Sequence, residues 1–295
     1  MTTPIALIGA GAMGNAIGTR LLETGQRLTV FDIDTEKVVA LVDLGATAAA
    51  SAADAAAASE EVILSLNTAG IVERAVFGDT GVADGATAGT VIIDMSSIAP
   101  DATRALAERA SAKGLHWVDS PLSGGAPKAL IGELTLMLGG ESEAFERARD
   151  VLSHVASNIT HMGPVGSGQT TKLINQVLCA LGFAAVAEAT KLAEDAGIDA
   201  AKIPSALAGG RADSALLQEY MPRFFTRDYR PTGRIDNMVK DLSGALDVAN
   251  ATGTAMPLTA QVAELHKLMV RAGYGGEDQA TLMEYFSGLQ RAHPS

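Results

Sequence analysis

The sequence has little cysteine and few aromatic residues, and these shortages limit what it can be. Only Cys179 is a cysteine among its 295 residues, which excludes an internal disulfide framework and any multi-cysteine metal site. Aromatic residues make up 4% of the chain, so the core must be built from smaller aliphatic side chains. The five histidines are scattered rather than grouped at metal-ligand spacing, and we expect no metal.

Basic residues are scarce as well. The chain has 22 lysines and arginines against 34 aspartates and glutamates, which gives a formal net charge of −12. An acidic surface repels phosphate backbones and anionic membranes, so we expect neither nucleic acid nor a membrane as a partner. A small anionic substrate would need a local basic pocket.

No uninterrupted apolar run reaches the length of a membrane span. The run that comes closest, residues 173–192, is interrupted by polar side chains such as Asn175 and Glu188. The first residues, Met1-Thr2-Thr3-Pro4, lack the basic segment of a secretory signal. These features predict a cytoplasmic protein.

Short apolar runs alternate with helical segments through the first half of the chain. This alternation predicts an α/β fold, a Rossmann-type doubly wound parallel sheet with helices on both faces. A glycine-rich break over residues 163–168 ends the pattern, and the rest is predicted to be helical. We therefore expect an α/β domain over residues 1–165 and an all-helical domain over residues 166–295. Within the latter we expect a long helix over 170–196 and a loop over 222–233, which holds two prolines.

Glycine is abundant, with 31 residues, and three glycines form a G-x-G-x-x-G motif directly after the first predicted strand. Gly9 would make a tight turn, Gly11 would let a pyrophosphate approach the backbone, and Gly14 would let helix and strand pack closely. Ala12 and Met13 lie at the following helix N-terminus, whose N–H groups favour a phosphate. The motif alone is weak, but its place between a strand and a helix favours dinucleotide binding over a ligand-free turn.

Asp32 ends the second predicted strand, 18 residues after Gly14, near the position of a ribose-binding carboxylate. A carboxylate there accepts a hydrogen bond from the 2′-OH of NAD and repels the 2′-phosphate of NADP. Ile33 follows it rather than an arginine, so we predict NAD as the cofactor. The alternative is that Asp32 is a helix N-cap, a role for which Asp34 is the better candidate.

Four further segments follow the glycine motif in a characteristic order: residues 94–100, 119–125, 166–176 and 240–242. Together they make the chain resemble the β-hydroxyacid dehydrogenase family over essentially its whole length. Two pieces, residues 123–129 and 172–181, are most similar to the branch of that family that acts on tartronate semialdehyde.

The resemblance implies an NAD-dependent oxidoreductase that moves a hydride between nicotinamide and the β-carbon of a small 3-hydroxy acid. It makes Lys172 the catalytic lysine, with Asn175 and Gln176 beside it. The N-terminal domain would bind NAD, and the helical domain would bind substrate. The resemblance implies that the substrate carboxylate is held by Ser123, Gly124 and Gly125. Beyond the glycine motif and Asp32, it implies that the cofactor is contacted by Leu66, Asn67, Ser97 and Lys240.

Spacing supports the role of Lys172 independently. Asn175, Gln176 and Cys179 follow it at i+3, i+4 and i+7, which places all of them on one face of the long helix. A helix N-terminus and a nicotinamide cation favour a neutral amine, which suits proton exchange with a hydroxyl. The alternative is a solvated lysine at a domain boundary. We interpret Cys179 as a small core residue rather than a reactive thiol.

Several assignments stay open. Arg211 follows two glycines and either reads the substrate or lies in solvent. Lys240 either reaches the site or belongs to an exposed Lys–Asp pair. The Ser123-Gly124-Gly125 segment either holds a carboxylate or is a plain turn.

The most specific expectation is interconversion of tartronate semialdehyde and glycerate, with 3-hydroxyisobutyrate or another short 3-hydroxy acid as the alternative. An imine reductase shares this architecture but usually lacks a lysine at this helix position. A non-catalytic NAD-binding sensor would need Asp32 and the glycines but not Lys172, Asn175 and Ser123 together. The long helix is apolar over much of its circumference, which predicts a homodimer or homotetramer.

Overall fold

The structure, a computed structural model, describes residues 4–288. These residues form two compact units that divide between Lys172 and Leu173. The first unit has two hydrophobic clusters, one on each face of a sheet, and the second unit has one cluster of its own.

The first unit is built on a nine-stranded sheet. Its strands are β1 Ile5–Ile8, β2 Leu28–Phe31, β3 Thr47–Ala48, β4 Glu61–Leu64, β5 Val91–Asp94, β6 His116–Asp119, β7 Leu122–Ser123, β8 Leu134–Gly139 and β9 Ala156–Gly163. The first six strands are parallel and lie in the order β3-β2-β1-β4-β5-β6. This is the order of a Rossmann-type doubly wound sheet, so the predicted fold class is confirmed.

Helices cover both faces of this sheet because its central strands are apolar on both sides. Ile5 and Leu7 of β1 belong to the cluster under α1, α2, α7 and α8, and Ala6 and Ile8 belong to the cluster under α3 to α6. The helices are α1 Ala12–Glu23, α2 Val39–Asp43, α3 Ala52–Ala57, α4 Ala69–Phe77, α5 Val82–Gly85, α6 Pro100–Ser111, α7 Gly125–Leu130 and α8 Ser142–Leu152.

One edge of the sheet departs from the parallel pattern. β8 runs antiparallel to β6 and β7, with Asp119 opposite Gly139 and Ser123 opposite Thr135, and β9 runs parallel to β8. The sequence analysis missed β7, which has two residues, and β9, whose residues are mostly exposed. It also missed α7, since the glycines and proline at its start resemble a turn.

Over its described residues, the second unit consists of helices, short 3₁₀ and π-helical turns and connecting loops, with one isolated antiparallel bridge between Arg234 and Asp278. Its helices are α9 Ser167–Asp195, whose first residues belong to the first unit, α10 Ile203–Leu207, α11 Ala215–Thr226, α12 Ile235–Thr252, α13 Pro257–Met269 and α14 Leu282–Ser287. α9 begins three residues before its predicted start, so Lys172 lies in its second turn rather than its first.

The loop predicted over residues 222–233 is wrong in its first part. α11 continues through Pro222 to Thr226 and ends at Arg227, which adopts a left-handed conformation (φ 55°). Proline removes one helical hydrogen bond, but Met221 and Phe224 on either side of it are buried in the core of the second unit. This packing outweighs the local preference of the proline.

α9 is long and apolar enough to cross a membrane by length and composition, a test that the core helix of a soluble protein also passes. The polar interruptions of residues 173–192 predict no span here. Part of the apolar surface of α9 belongs to a protein core, because Ala180, Phe183 and Ala187 pack in the cluster of the second unit.

Candidate active site

The carboxyl ends of the parallel strands place most of the predicted cofactor residues at one edge of the first unit. The strand order reverses at β1, which is flanked by β2 and β4, and dinucleotides bind at such a reversal. The glycine motif follows β1, Asp32 follows β2, Leu66 and Asn67 follow β4, and Ser97 follows β5. The sheet topology thus brings these separate segments together.

The three motif glycines differ in what requires them. Gly9 has φ +98°, and a Cβ there would lie 2.5 Å from the Ser65 carbonyl oxygen. A Cβ on Gly14 would lie 1.9 Å from the Gly9 carbonyl oxygen. A Cβ on Gly11 would meet no atom within 4 Å, and no side chain caps the helix that begins after it. Packing therefore explains Gly9 and Gly14, and the bare backbone at Gly11 fits a bound pyrophosphate.

Asp32 holds the glycine motif against the end of β2. Its carboxylate accepts hydrogen bonds from the Ala10 N–H at 2.8 Å and from the Asp34 N–H at 2.9 Å. Asp34 is the N-cap of the following 3₁₀ turn, where it accepts from the Glu36 N–H. A carboxylate has about four acceptor positions, so Asp32 retains capacity for a ribose hydroxyl.

The loops after β4 and β5 are joined by Ser96, which is buried. Its hydroxyl accepts from the Leu66 N–H at 3.1 Å, and its N–H donates to Asp94 Oδ1 at 3.0 Å. Ser97 and Leu66 are half-buried, and Asn67 is exposed. Burial raises the pKa of Asp94 to about 7, against the lowering effect of its hydrogen bonds from Ser96, and neighbouring Asp119 adds to the rise. Burial therefore favours the protonated form of Asp94 up to near-neutral pH.

The segment predicted to hold the substrate carboxylate links β7 to α7. Ser123 is the last residue of β7 and is half-buried. Gly124 and Gly125 have φ +121° and +69°, conformations that favour glycine. A Cβ on Gly124 would lie 2.8 Å from Lys128 Cβ, so the close approach of α7 also requires a glycine there.

The predicted catalytic face of α9 carries an ordered set of amides. Lys172, Asn175 and Gln176 are all half-buried. Asn175 Nδ2 donates to Gln176 Oε1 at 3.0 Å, and Gln176 Nε2 donates to Asp241 Oδ2 at 2.6 Å. Lys240 Nζ lies 3.4 Å from Asp241 Oδ1, so one carboxylate connects Gln176 to Lys240.

Asp241 is a residue whose role the sequence analysis missed. It is buried on α12 on the same face as Met238, Leu242 and Ala245. A carboxylate among apolar positions at helical spacing was the available signal, because a buried carboxylate needs donors. Lys240 itself is exposed.

Of the two other predicted residues, Arg211 lies apart from this set and Cys179 borders it. Arg211 is exposed in the loop between α10 and α11. Cys179 is half-buried against the core of the second unit, with its Sγ 3.7 Å from Asn175 Nδ2, in keeping with a small core residue.

Comparison with known proteins gives two family matches that together cover most of the chain. Residues 4–163 match the NAD binding domain of 6-phosphogluconate dehydrogenase. Residues 166–286 match the domain described as NAD-binding of NADP-dependent 3-hydroxyisobutyrate dehydrogenase.

Individual relatives match over nearly their full length. The chain is 36% identical to 3-sulfolactaldehyde reductase of Escherichia coli, covering 95% of this chain and 94% of that protein. It is 34% identical to 2-hydroxy-3-oxopropionate reductase of Escherichia coli, covering 95% and 96%. A solved structure of 3-hydroxyisobutyrate dehydrogenase from Mycobacterium tuberculosis with L-serine superposes with a TM-score of 0.88 at 29% identity, covering 97% and 99%. The chain therefore belongs to the β-hydroxyacid dehydrogenase family and is an oxidoreductase that uses a nicotinamide dinucleotide.

Proposed function

We propose that this enzyme interconverts a short 3-hydroxy acid and its semialdehyde with NAD, and that tartronate semialdehyde and glycerate are the pair. The observation that carries the proposal is the face of α9. On that face Lys172 is followed by two amide side chains, which are held in place by hydrogen bonds that lead to Asp241. Gln176 and Lys240 share the Asp241 carboxylate, which orders the polar groups at that face. Ordering of this kind lowers the cost of aligning a reacting group.

The residues divide the chemistry between proton transfer and orientation. Lys172 takes the hydroxyl proton during oxidation and returns a proton to the carbonyl oxygen during reduction. The Ser123 hydroxyl and the backbone N–H groups of Gly124 and Gly125 hold the substrate carboxylate. The nicotinamide supplies the hydride-transfer chemistry. Because the carboxylate is fixed, only the β-carbon is presented to the cofactor.

We propose a preference for NAD over NADP from the position of Asp32. Its carboxylate stays at the end of β2 through two backbone hydrogen bonds, and the adjacent Ile33 side chain is 93% exposed. A 2′-phosphate would therefore meet a fixed negative charge with no neighbouring arginine in residues 33–36 to offset it.

We also propose a soluble cytoplasmic homo-oligomer, a dimer or tetramer. The support is an apolar exposed row on α9, where Ile174, Leu178 and Leu192 are 56%, 65% and 70% exposed. Exposed apolar rows of this kind are covered by a partner in many soluble proteins. Light scattering after size-exclusion chromatography tests this, and a monomer at micromolar concentration would refute it.

The activity is tested with a substrate panel. Oxidation of NADH is followed with tartronate semialdehyde, methylmalonate semialdehyde and other short semialdehydes and β-keto acids, and then repeated with NADPH. We expect the highest kcat/KM for tartronate semialdehyde with NADH. A cyclic imine is included in the panel: turnover confined to it would indicate an imine reductase, and NADH binding without turnover of any compound would indicate a sensor.

A further inference from the structure

A fully buried carboxylate holds the beginning of the helix that carries Lys172. Asp119, the last residue of β6, accepts hydrogen bonds from the Gly166 N–H at 2.7 Å and from the Gln169 N–H at 2.8 Å. Gly166 directly precedes α9 and Gln169 is its third residue. These are N–H groups that a helix leaves unsatisfied at its start, and a carboxylate is their preferred acceptor.

The same helix start is in direct contact with the sheet backbone. A Cβ on Gly168 would lie 2.3 Å from the Met137 carbonyl oxygen, and one on Gly139 would lie 2.5 Å from Asp119 Oδ1. Glycine at both positions lets α9 approach the ends of β6 and β8 without an intervening side chain. The start of α9 is therefore fixed to the sheet by contact as well as by hydrogen bonds.

Gln169 extends this attachment to the cofactor loops. Its side chain is 1% exposed, its Nε2 donates to the Ser96 carbonyl at 2.7 Å, and its Oε1 accepts from the Ile98 N–H at 3.3 Å. These two partners flank Ser97, the residue predicted to contact the nicotinamide side of the cofactor. Ser96 in turn accepts from the Leu66 N–H, so one amide side chain connects α9 to both loops.

We propose that Asp119 and Gln169 are positioning residues for hydride transfer, which set Lys172 relative to the Ser96–Ile98 segment. Lys172 lies at i+3 from Gln169, less than one helical turn further along α9. Any shift of Gln169 therefore moves Lys172 relative to the nicotinamide side of the site. A misplacement of about 1 Å costs about 100-fold in rate, although neither residue touches the substrate. The proposal rests on Lys172 as the proton-transfer group.

The test compares Gln169→Met with Gln279→Met. Gln279 is a matched control, because it is 2% exposed, donates to the Arg234 carbonyl and has His266 as its second partner. Its hydrogen bonds lie wholly within the second unit. Both variants lose a pair of buried hydrogen bonds, so the two unfolding midpoints fall similarly.

We expect kcat to fall at least about tenfold in Gln169→Met and to stay within about twofold in Gln279→Met, at a temperature well below both midpoints. The primary isotope effect with NADH deuterated at C4 should rise only in Gln169→Met, because hydride transfer becomes slower than product release. An unchanged kcat and isotope effect in Gln169→Met, or equal losses in both variants, would overturn the proposal.

Gln169→Glu keeps the inference testable if Gln169→Met does not fold. A protonated carboxyl donates to the Ser96 carbonyl as the amide does, whereas an ionised one cannot. We expect activity relative to the unmodified enzyme to fall as pH rises, and a ratio independent of pH would count against the proposal. Lys172→Met is measured alongside. Full activity in that variant refutes the proton-transfer role of Lys172 on which this proposal rests, whereas loss there with normal Gln169 variants refutes only the positioning role. Absence of turnover by the unmodified enzyme with every semialdehyde would refute the proposed function instead.

Discussion

The glycine motif offers a prediction that separates ligand binding from packing. Gly11→Ala and Gly14→Ala add the same methyl group three residues apart. At Gly14 the new Cβ would lie 1.9 Å from the Gly9 carbonyl oxygen, whereas at Gly11 it would meet no atom within 4 Å. Gly11 also has φ −66°, a backbone conformation that alanine adopts without strain.

The expected magnitudes follow from this geometry. At Gly11, alanine lowers stability because it is a poorer N-cap than glycine, and it raises stability because it restricts the unfolded chain. Each effect is under about 1 kcal/mol, and the two largely cancel. At Gly14, the new Cβ clashes with the backbone, and the shift that relieves the clash costs about 1–3 kcal/mol or more. This cost exceeds the roughly 1 kcal/mol that alanine gains over glycine in a helix. We therefore expect Gly14→Ala to lower the free energy of unfolding and Gly11→Ala to leave it nearly unchanged.

The Gly11 variant should bind NADH more weakly although its stability is nearly unchanged. If the pyrophosphate lies against this backbone, a methyl group there displaces it and weakens binding. A loss of about 1.4 kcal/mol or more in the free energy of binding raises the Kd for NADH at least tenfold. Calorimetric titration with NADH measures Kd, and urea denaturation measures the free energy of unfolding. A Gly11→Ala variant that binds NADH as tightly as the unmodified enzyme would refute the assignment of this backbone to the cofactor.

Three further predictions concern cofactor choice, stability and pH. Asp32→Asn removes the charge facing the ribose, so the ratio of kcat/KM for NADPH to that for NADH should rise about tenfold, and an unchanged ratio would contradict the ribose role. Arg147→Ala leaves the largely buried Glu61 without the guanidinium 2.7 Å away, so the free energy of unfolding should fall by about 2–3 kcal/mol in urea titrations. Arg149→Ala, at an exposed ion pair with Glu146, is the control and should cost under about 1 kcal/mol. Asp94 has a folded-state pKa near 7, above its unfolded value of 3.8, so the folded protein holds an extra proton between these pH values. Its stability therefore declines as pH rises through that window. Asp94→Asn should be more stable than the unmodified enzyme at pH 8 but not at pH 4, and equal differences at both would contradict the burial argument.

The sequence predicted the parallel part of the fold well because its signals are local. An apolar run marks strand β2, and the glycine motif before α1 and Gly25 after it mark the ends of that helix. β9 and α7 were missed for opposite reasons. β9 is stabilised by pairing with β8, a non-local contact, and α7 begins with residues that favour a turn.

The candidate site likewise divides into residues that have a local sequence signal and residues that only the fold brings together. The glycine motif, Asp32 and Lys172 can be assigned from the sequence because each lies after a predicted strand or near a predicted helix start. Asp119 and Gln169 lie within the characteristic segments 119–125 and 166–176, but the sequence assigns them no role, because their significance lies in hydrogen bonds between residues 47 to 73 positions apart. No spacing rule connects such residues, and only the folded sheet brings them within contact.

The central claim is that Lys172 transfers the proton that accompanies hydride transfer. The most direct test is single-turnover oxidation of NADH by the best semialdehyde of the panel. The rate is measured in the unmodified enzyme and in Lys172→Met. We expect a rate at least about 100-fold lower in the variant, with an unchanged Kd for NADH. A variant that transfers hydride at the unmodified rate while binding NADH normally would contradict it.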